Sequence, residues 1–570
     1  MAGGPAPDAQ FSSGVGYVLV FNLIVGTGAL ALPKAFRHAG YILAIVLLLV
    51  SCFMSYVCAT FVIEGMAIAN AAGRSSQLKC RKKGEATKKE LAAIYNIDNR
   101  VEVSSMANLF MGKYGVMILT LIMAIYLFGD LAIYTVTVPK SLMNVICDPD
   151  ATANSSVVSW DDPCWSSWPT WSNRVAIYRI CIAGFMIFVT PLVIIGVTRT
   201  KYLQVSTSVC RWTAFILMII LASIRLGVKG SPSIPEPVIA SGFGSLFGTT
   251  VYAFMCHHSL PSLITPMSNK RHIMWGVLMV YICVLLFYVA LAMTGAFAFE
   301  DIYDVYPLNF LHDAYFQTIF YKICDYFLAL FPVFTITSNY PIVGCTLINN
   351  LLVFLDICEE MLAEKGITFF RSNKVASSTS EPIARKFETG EENVENKAVV
   401  DMQKEESKET EHRESSEKGS SDSDIEMTVK GKDGEESETE EERIRRKTLE
   451  QEDHVRKATL AEPPQAKPRL IRRYIVMAIL LGLALLIAML TDNVLILAEI
   501  TGSYPGVGVQ CVIPSLIVIF GRRYSIRELG TPVPRSSMSP FSHVFWPFAM
   551  LVWSVFTIVM VSLNFANVFE

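Results

Sequence analysis

Two stretches of this sequence place groups able to bind a small charged solute inside otherwise apolar runs. The first reads NLIVGTGALALP from Asn22 to Pro33. Gly26 and Gly28 permit a non-helical segment, and Pro33 removes one amide from the helical ladder. Backbone groups freed at membrane depth are tolerated only where they line a cavity or a site. Such a break exposes two half-helix ends: the positive end suits a carboxylate, and the free carbonyls suit a cation. The same glycines also fit a close-packing surface for a neighbouring helix. The second stretch, GTTVYAFMCHHSLPSLITP from Gly248 to Pro266, carries Tyr252, His257 and His258, with Pro261 and Pro266 beyond them. Polar groups are costly in lipid. They therefore serve either a site, with Tyr252 near the solute and a histidine nearer the inner mouth, or a polar network inside the bundle.

Other polar groups lie at similar depth. Asp130, within YLFGDLAIY, is a carboxylate that must be protonated, paired or wetted, and it is suited to a coupling proton or cation. Glu64 lies nearer a span end, where it can snorkel or pair. Thr335, Thr337 and Ser338, in FPVFTITSNYP, offer hydroxyls that could ligate Na⁺ together with carbonyls of the first span, or simply bond their own helix. No HExxH, GxSxG, Walker lysine loop or CxxC pair occurs, and the adjacent His257 and His258 alone are weak evidence for a metal. We therefore expect no enzyme, no metal site and no cofactor beyond a coupling H⁺ or Na⁺.

The elements that hold these groups are membrane spans. Of the 570 residues, 52% are hydrophobic and 17% charged, where a soluble domain carries about a quarter. The stretch 371–470 alone holds 26 of the 51 acids. Apolar runs at 14–36, 40–66, 114–139, 175–198, 211–228, 244–266, 273–298, 324–344, 474–491, 503–520 and 543–565 predict about eleven transmembrane helices. Bases cluster after every second run: Arg74 to Lys89, then Arg199 and Lys201, then Lys270 and Arg271, then Arg522, Arg523 and Arg527. That pattern predicts a cytosolic N-terminus and a luminal or extracellular C-terminus. The sequon at Asn154 then falls in an outward loop, and so do Cys147 and Cys164, which could form a disulfide if that compartment is oxidising. The insertion at 365–470 is rich in Glu, Ser and Lys and cannot bury enough apolar surface to order itself. It is read as a cytosolic segment that could recruit a regulatory protein. The broken first and sixth runs each begin one half of a possible five-plus-five inverted repeat. The halves are 14–228 and 244–520, the second enlarged by the insertion, after a cytosolic 1–13, with the eleventh helix at 543–565 outside the repeat.

Asn22, Gly26, Gly28, Leu30 and Pro33, with Tyr252, Ala253, Phe254, His257 and Pro261, resemble the pattern of the amino acid/auxin permease family. The segments FNLIVGTGALALPKAF, FVIEGMAIANA and YLFGDLAIYTVTVPKSL most resemble its transmembrane protein 104 branch. The resemblance implies an all-α polytopic membrane protein of LeuT-type fold, and secondary active transport of an amino acid or similar solute driven by H⁺ or Na⁺. It implies that Val25, Gly26, Thr27 and Gly28 bind the solute's amino and carboxyl groups, with Thr250, Tyr252 and Phe254 on the facing side. It does not carry a compartment, since that family has plasma-membrane, vesicular and lysosomal members. The expected partners are the bilayer, a small solute and a cytosolic protein at the insertion, with no nucleic acid. The competing function is a non-transporting solute sensor or scaffold that signals through the insertion. Deleting 371–465 separates the two: undiminished uptake into vesicles is expected of a carrier, and loss of a cytosolic partner without measurable transport is expected of a sensor.

Overall fold

The computed structural model describes residues 11–74, 92–147, 162–165, 167–168, 172–195, 201–311, 318–364 and 470–566. The sequon at Asn154 and nearly all of the 365–470 insertion lie outside them. The chain divides into two compact units, Met1–Met361 with Arg445–Glu570, and Leu362–Ile444. Of the second, only Leu362–Glu364 at the end of a helix is described.

The first unit is an all-α membrane protein. Its helices are α1 (Ser13–Ile24), α2 (Gly28–Ala39), α3 (Tyr41–Gly73), α4 (Val103–Ile146), α5 (Arg174–Ile195), α6 (Lys201–Lys229), α7 (Phe243–Ala253), α8 (Leu260–Ile264) and α9 (Ile273–Ala298). After them come α10 (Ile319–Glu364), α11 (Leu470–Leu490), α12 (Val494–Thr501), α13 (Ile513–Glu528) and α14 (Phe545–Phe565). Among the described residues nine helical stretches are long and apolar enough to cross a membrane, α12 running into α13 as one of them. The α1/α2 pair, bent by 55°, makes a tenth.

Each of the eleven expected runs overlaps helix among the described residues, with two differences. The 244–266 run is not a continuous span. It is α7 and the five-residue α8, separated by the non-helical Phe254–Ser259. The 503–520 run starts nine residues earlier, at Val494. Gly502, Pro505, Gly506 and Gly508 look like a loop boundary in sequence, yet they are accommodated in two π-helical turns, Gly502–Gly506 and Gly508–Val512, that keep the helix continuous.

Close backbone approaches bring the elements together. A Cβ on Gly28 of α2 would stand 2.7 Å from Ala253 Cα on α7. A Cβ on Gly248 of α7 would stand 2.8 Å from Glu499 Cα on α12, and one on Gly129 of α4 would stand 2.9 Å from Thr501 Cβ. The glycines let α2, α7, α12 and α4 approach closely, with the Thr501 hydroxyl against Gly129 and the Ser503 hydroxyl against Gly248.

Two buried ion clusters mark opposite ends of the bundle. Lys140, near the C-terminal end of α4, reaches Asp304 at 2.8 Å and Asp492 at 3.1 Å, and Asp304 also accepts from the Val494 amide that opens α12. At the other end Glu64 of α3, fully buried, takes a two-point contact from Arg522 of α13 at 2.7 and 2.8 Å and the Ser539 amide at 3.0 Å. Of the options open to Glu64 in sequence, pairing is the one realised. Removing one partner of a buried pair leaves an uncompensated charge, at about 3–5 kcal/mol. Glu64→Ala should therefore lower the unfolding temperature of the detergent-purified protein markedly. Glu64→Leu combined with Arg522→Leu should recover most of that loss, and an unchanged melting curve for Glu64→Ala would contradict the role given to the pair.

Candidate functional site

The first helix stops at Ile24 because Val25 takes a backbone conformation (ψ 86°) outside the helical range, and the chain resumes as α2 at Gly28. The expected interruption is thus present, and the structure separates the roles of its two glycines. Gly28 is a packing residue, held against Ala253 and Tyr252. Gly26 is open: a Cβ there meets nothing nearer than the Ile24 carbonyl at 3.9 Å. Thr27 caps α2 without a side-chain bond to its amides, because its hydroxyl is engaged 3.0 Å from the Tyr252 phenol.

The carbonyls released by the break are largely taken by two groups that the sequence did not single out. Arg211 of α6 donates to the carbonyls of Asn22 at 3.1 Å and Val25 at 3.2 Å. Tyr288 of α9, wholly buried, lies 3.0 Å from the Ile24 carbonyl and 2.9 Å from that of Ala253, so one phenol bridges both broken helices. The second break is held from α3. Ser55 donates to the Phe254 carbonyl, and its own carbonyl lies 2.9 Å from His257 Nε2.

Asp130 of α4 is buried beside the phenols of Tyr126 and Tyr252, its Oδ1 has no hydrogen-bond partner, and it is in no ion pair among the described residues. Tyr134, one turn further along α4, is within electrostatic reach of both Asp130 and Arg211. The rings of Tyr126 and His258 are 5.9 Å apart, and Nδ1 of both His257 and His258 lacks a partner. A carboxylate, three phenols and a hydroxyl therefore converge beside the first break, an arrangement that can exchange protons and bind polar solute atoms.

The other expected site residues are distributed differently. Thr250 bonds Ser51 on α3, and Phe254 packs its ring on Tyr281 and Tyr288. Of the three sixth-run residues, Tyr252 is the one hydrogen-bonded to the first break. Thr335 and Ser338 donate to carbonyls of their own helix. Thr337 and Ser338 instead edge an apolar cavity of about 500 Å³ between α4, α5 and α10, with Phe185 and Phe188. None of the three hydroxyls is hydrogen-bonded to the first span. Cys147 and Cys164 form the disulfide left open in the sequence. No group of three or more His, Cys, Asp or Glu side chains able to hold a metal occurs among the described residues.

Two functional candidates were hidden by span boundaries. Arg211 sat at the first residue of the 211–228 run, where an arginine reads as interfacial, but α6 begins ten residues earlier. Glu499 fell in the loop before 503, although it lies within α12 and is 5% exposed. A lone charge in an apolar run was the signal in both cases.

A family model described as transmembrane amino acid transporter protein matches residues 10–561. A transmembrane protein 104 homolog of Caenorhabditis briggsae is 41% identical over 562 residues, covering 98% of both chains. Transmembrane protein 104 of Homo sapiens is 33% identical over 591 residues, covering 97% of this chain and 96% of its own. The crystal structure of MhsT in complex with L-phenylalanine aligns over 98% of this chain and 99% of its own, at 12% identity and a TM-score of 0.38, a level that says nothing about the site. With the breaks where the sequence placed them and relatives matching end to end, this chain belongs to the transmembrane protein 104 family of the transmembrane amino acid transporter proteins.

Proposed function

We propose that this protein is a secondary active transporter that moves an amino acid or similar small solute together with a proton, by alternating access around the broken α1/α2 and α7/α8 segments. The observation that carries the reading is the open first break facing an unpaired, buried carboxylate: Gly26 borders free space, and Asp130 stands beside Tyr252, which is bonded to Thr27. Val25, Gly26, Thr27 and Gly28 form the solute-facing backbone. The α2 N-terminus, without a side-chain cap, offers its positive end to a carboxylate. Tyr252 closes the site from the other side, while Thr250 and Phe254 support it from behind.

A proton is favoured over Na⁺ as the coupling ion. The Asn22 and Val25 carbonyls, the oxygens a cation would use, already accept from Arg211, a fixed positive charge in that place. The Cys147–Cys164 disulfide supports placing that loop in an oxidising compartment. With the basic loops, it supports a reading with the N-terminus in the cytosol, the C-terminus outside it, and Asn154 open to glycosylation.

Uptake of labelled amino acids into proteoliposomes tests the reading. A pH gradient, acid on the disulfide side, should drive accumulation, and a Na⁺ gradient at equal pH should not. Gly26→Val puts a side chain into the open break, where its Cβ meets nothing nearer than 3.9 Å, so uptake should fall about tenfold or more, about 1.4 kcal/mol of binding, while the melting temperature holds. Uptake by Gly26→Val equal to that of the parent would remove the site assignment, and absence of uptake across the whole amino acid set would remove the function. Tyr252→Phe deletes one hydrogen bond to Thr27, a loss of about 1 kcal/mol. Solute affinity should drop about fivefold, and an unaltered affinity would exclude Tyr252 from the site.

A further inference from the structure

We infer that Glu499 is a second proton-binding site, placed back to back with Asp130 so that each carboxylate serves one side of the membrane; this rests on the proton-coupled reading above and extends it. Three observations carry the inference. First, the two carboxyl-bearing residues stand at nearly the same depth. Lys140 of α4 bonds Asp492, just before the start of α12, so α4 and α12 run antiparallel. Thr501 of α12 lies against Gly129 of α4. At about 1.5 Å of rise per residue, Glu499 and Asp130 both sit within about 3 Å of that contact, toward the Lys140 end.

Second, the two side chains lean in opposite directions. A helical Cα–Cβ bond tilts toward the N-terminus of its helix. In antiparallel helices that tilt sends the two carboxylates apart. Asp130 meets Tyr126, one turn back along α4 and away from the disulfide end. Glu499 meets Ser245, in the first turn of α7, on the side of the Lys140–Asp304–Asp492 cluster and the disulfide. One depth thus holds two acids that face opposite compartments.

Third, the ground between them is polar and unsatisfied. Ser503, one turn on from Glu499 and wholly buried, has an Oγ without a partner. Asp130 Oδ1 is a second such atom. Gly248 and Gly502 remove side chains from this crossing and leave Tyr252 beside it, its phenol reaching Asp130. Buried polar atoms without protein partners are met by water or by an exchangeable proton. The route runs from Glu499 past Ser503 and Tyr252 to Asp130.

No other charge accounts for Glu499. The titratable groups on the elements packed against α12 are Lys113, Tyr114, Tyr126, Asp130, Tyr134 and Lys140 on α4, Tyr252 on α7, Lys34, Arg37 and His38 on α2, and Tyr504 on the π-helical turn. Among the described residues none forms an ion pair with it, and the side chain that acts on its carboxylate is the Ser245 hydroxyl. A membrane-buried acid without a base is expensive unless it is protonated or wetted, and both states suit proton transfer.

Infrared difference spectra of the full chain in vesicles, with pH stepped on one side at a time, read carboxyl protonation without any solute. A step on the disulfide side should give a protonated-carboxyl band that Glu499→Gln lacks. A step on the opposite side should give a band that Asp130→Asn lacks. Identical spectra for the parent and Glu499→Gln would overturn the inference, as would a Glu499 band that responds only from the opposite side. If Glu499→Gln does not fold, Glu499→Asp retains a carboxylate with shorter reach and should shift that band, and an unmoved band overturns the proposal equally. In uptake assays Glu499→Gln should reduce pH-driven accumulation about tenfold. Both bands without any amino acid uptake would defeat the transport reading and leave the two-acid arrangement standing.

Discussion

A helix interrupted inside a membrane leaves backbone carbonyls and amides that lipid cannot satisfy, and the centre of this protein is arranged around that cost. Each unmet group is worth several kcal/mol in hydrocarbon, so every break demands dedicated partners. Tyr288 meets the demand for both at once, since its phenol lies within 3.0 Å of the Ile24 carbonyl and 2.9 Å of the Ala253 carbonyl. Arg211 takes two further carbonyls of the first break, and Ser55 with His257 secures the second. The partners sit on α3, α6 and α9, helices that must therefore keep fixed positions relative to the breaks. What stays unsatisfied after this is informative, because Asp130 Oδ1, Ser503 Oγ and the Nδ1 atoms of both histidines lie in the same region.

How much of this could be read from the sequence depended on whether the signal was local. The first break was legible because Gly26, Gly28 and Pro33 act on their own backbone. Asp130 was legible because a carboxylate in the middle of an apolar run has no cheap explanation. The partners of the breaks were not legible. A tyrosine such as Tyr288 in an apolar helix looks like any other core aromatic, and only the three-dimensional meeting of α1, α7 and α9 gives its hydroxyl a role. Arg211 and Glu499 were obscured differently. Arg211 stood at the edge of a run and Glu499 four residues before one, and both edges were set by hydropathy, which a nearby charge lowers. The hydroxyls at Thr335 and Ser338 were legible as polar groups in an apolar run, and each donates to an i−3 or i−4 carbonyl of its own helix.

The two glycines of the first span show why one motif supported two readings. Gly28 lacks room for any side chain, since α2 rests on the backbone of α7 there. Gly26 has room and no contact. The packing role keeps the two broken helices together, and the open role leaves a space beside their ends. Neither role works alone: without the tight contact the break would have no facing wall, and without the open residue the wall would have nothing to face.

The buried ion clusters bear on how the two ends of the bundle are held. Lys140 joins α4 to the segments around Asp304 and Asp492, and Arg522 joins α13 to Glu64 on α3, so each end of the bundle is tied by charges largely removed from water. A buried pair contributes little net stability, because desolvation offsets most of the attraction, but it discriminates sharply between a formed and a broken geometry. That makes such pairs better suited to defining discrete states than to holding a fold together. Between the two clusters α4, α7 and α12 approach closely at Gly129, Gly248 and Gly502, where the side chains of Thr501, Ser503 and Tyr252 take up the space that the glycines leave.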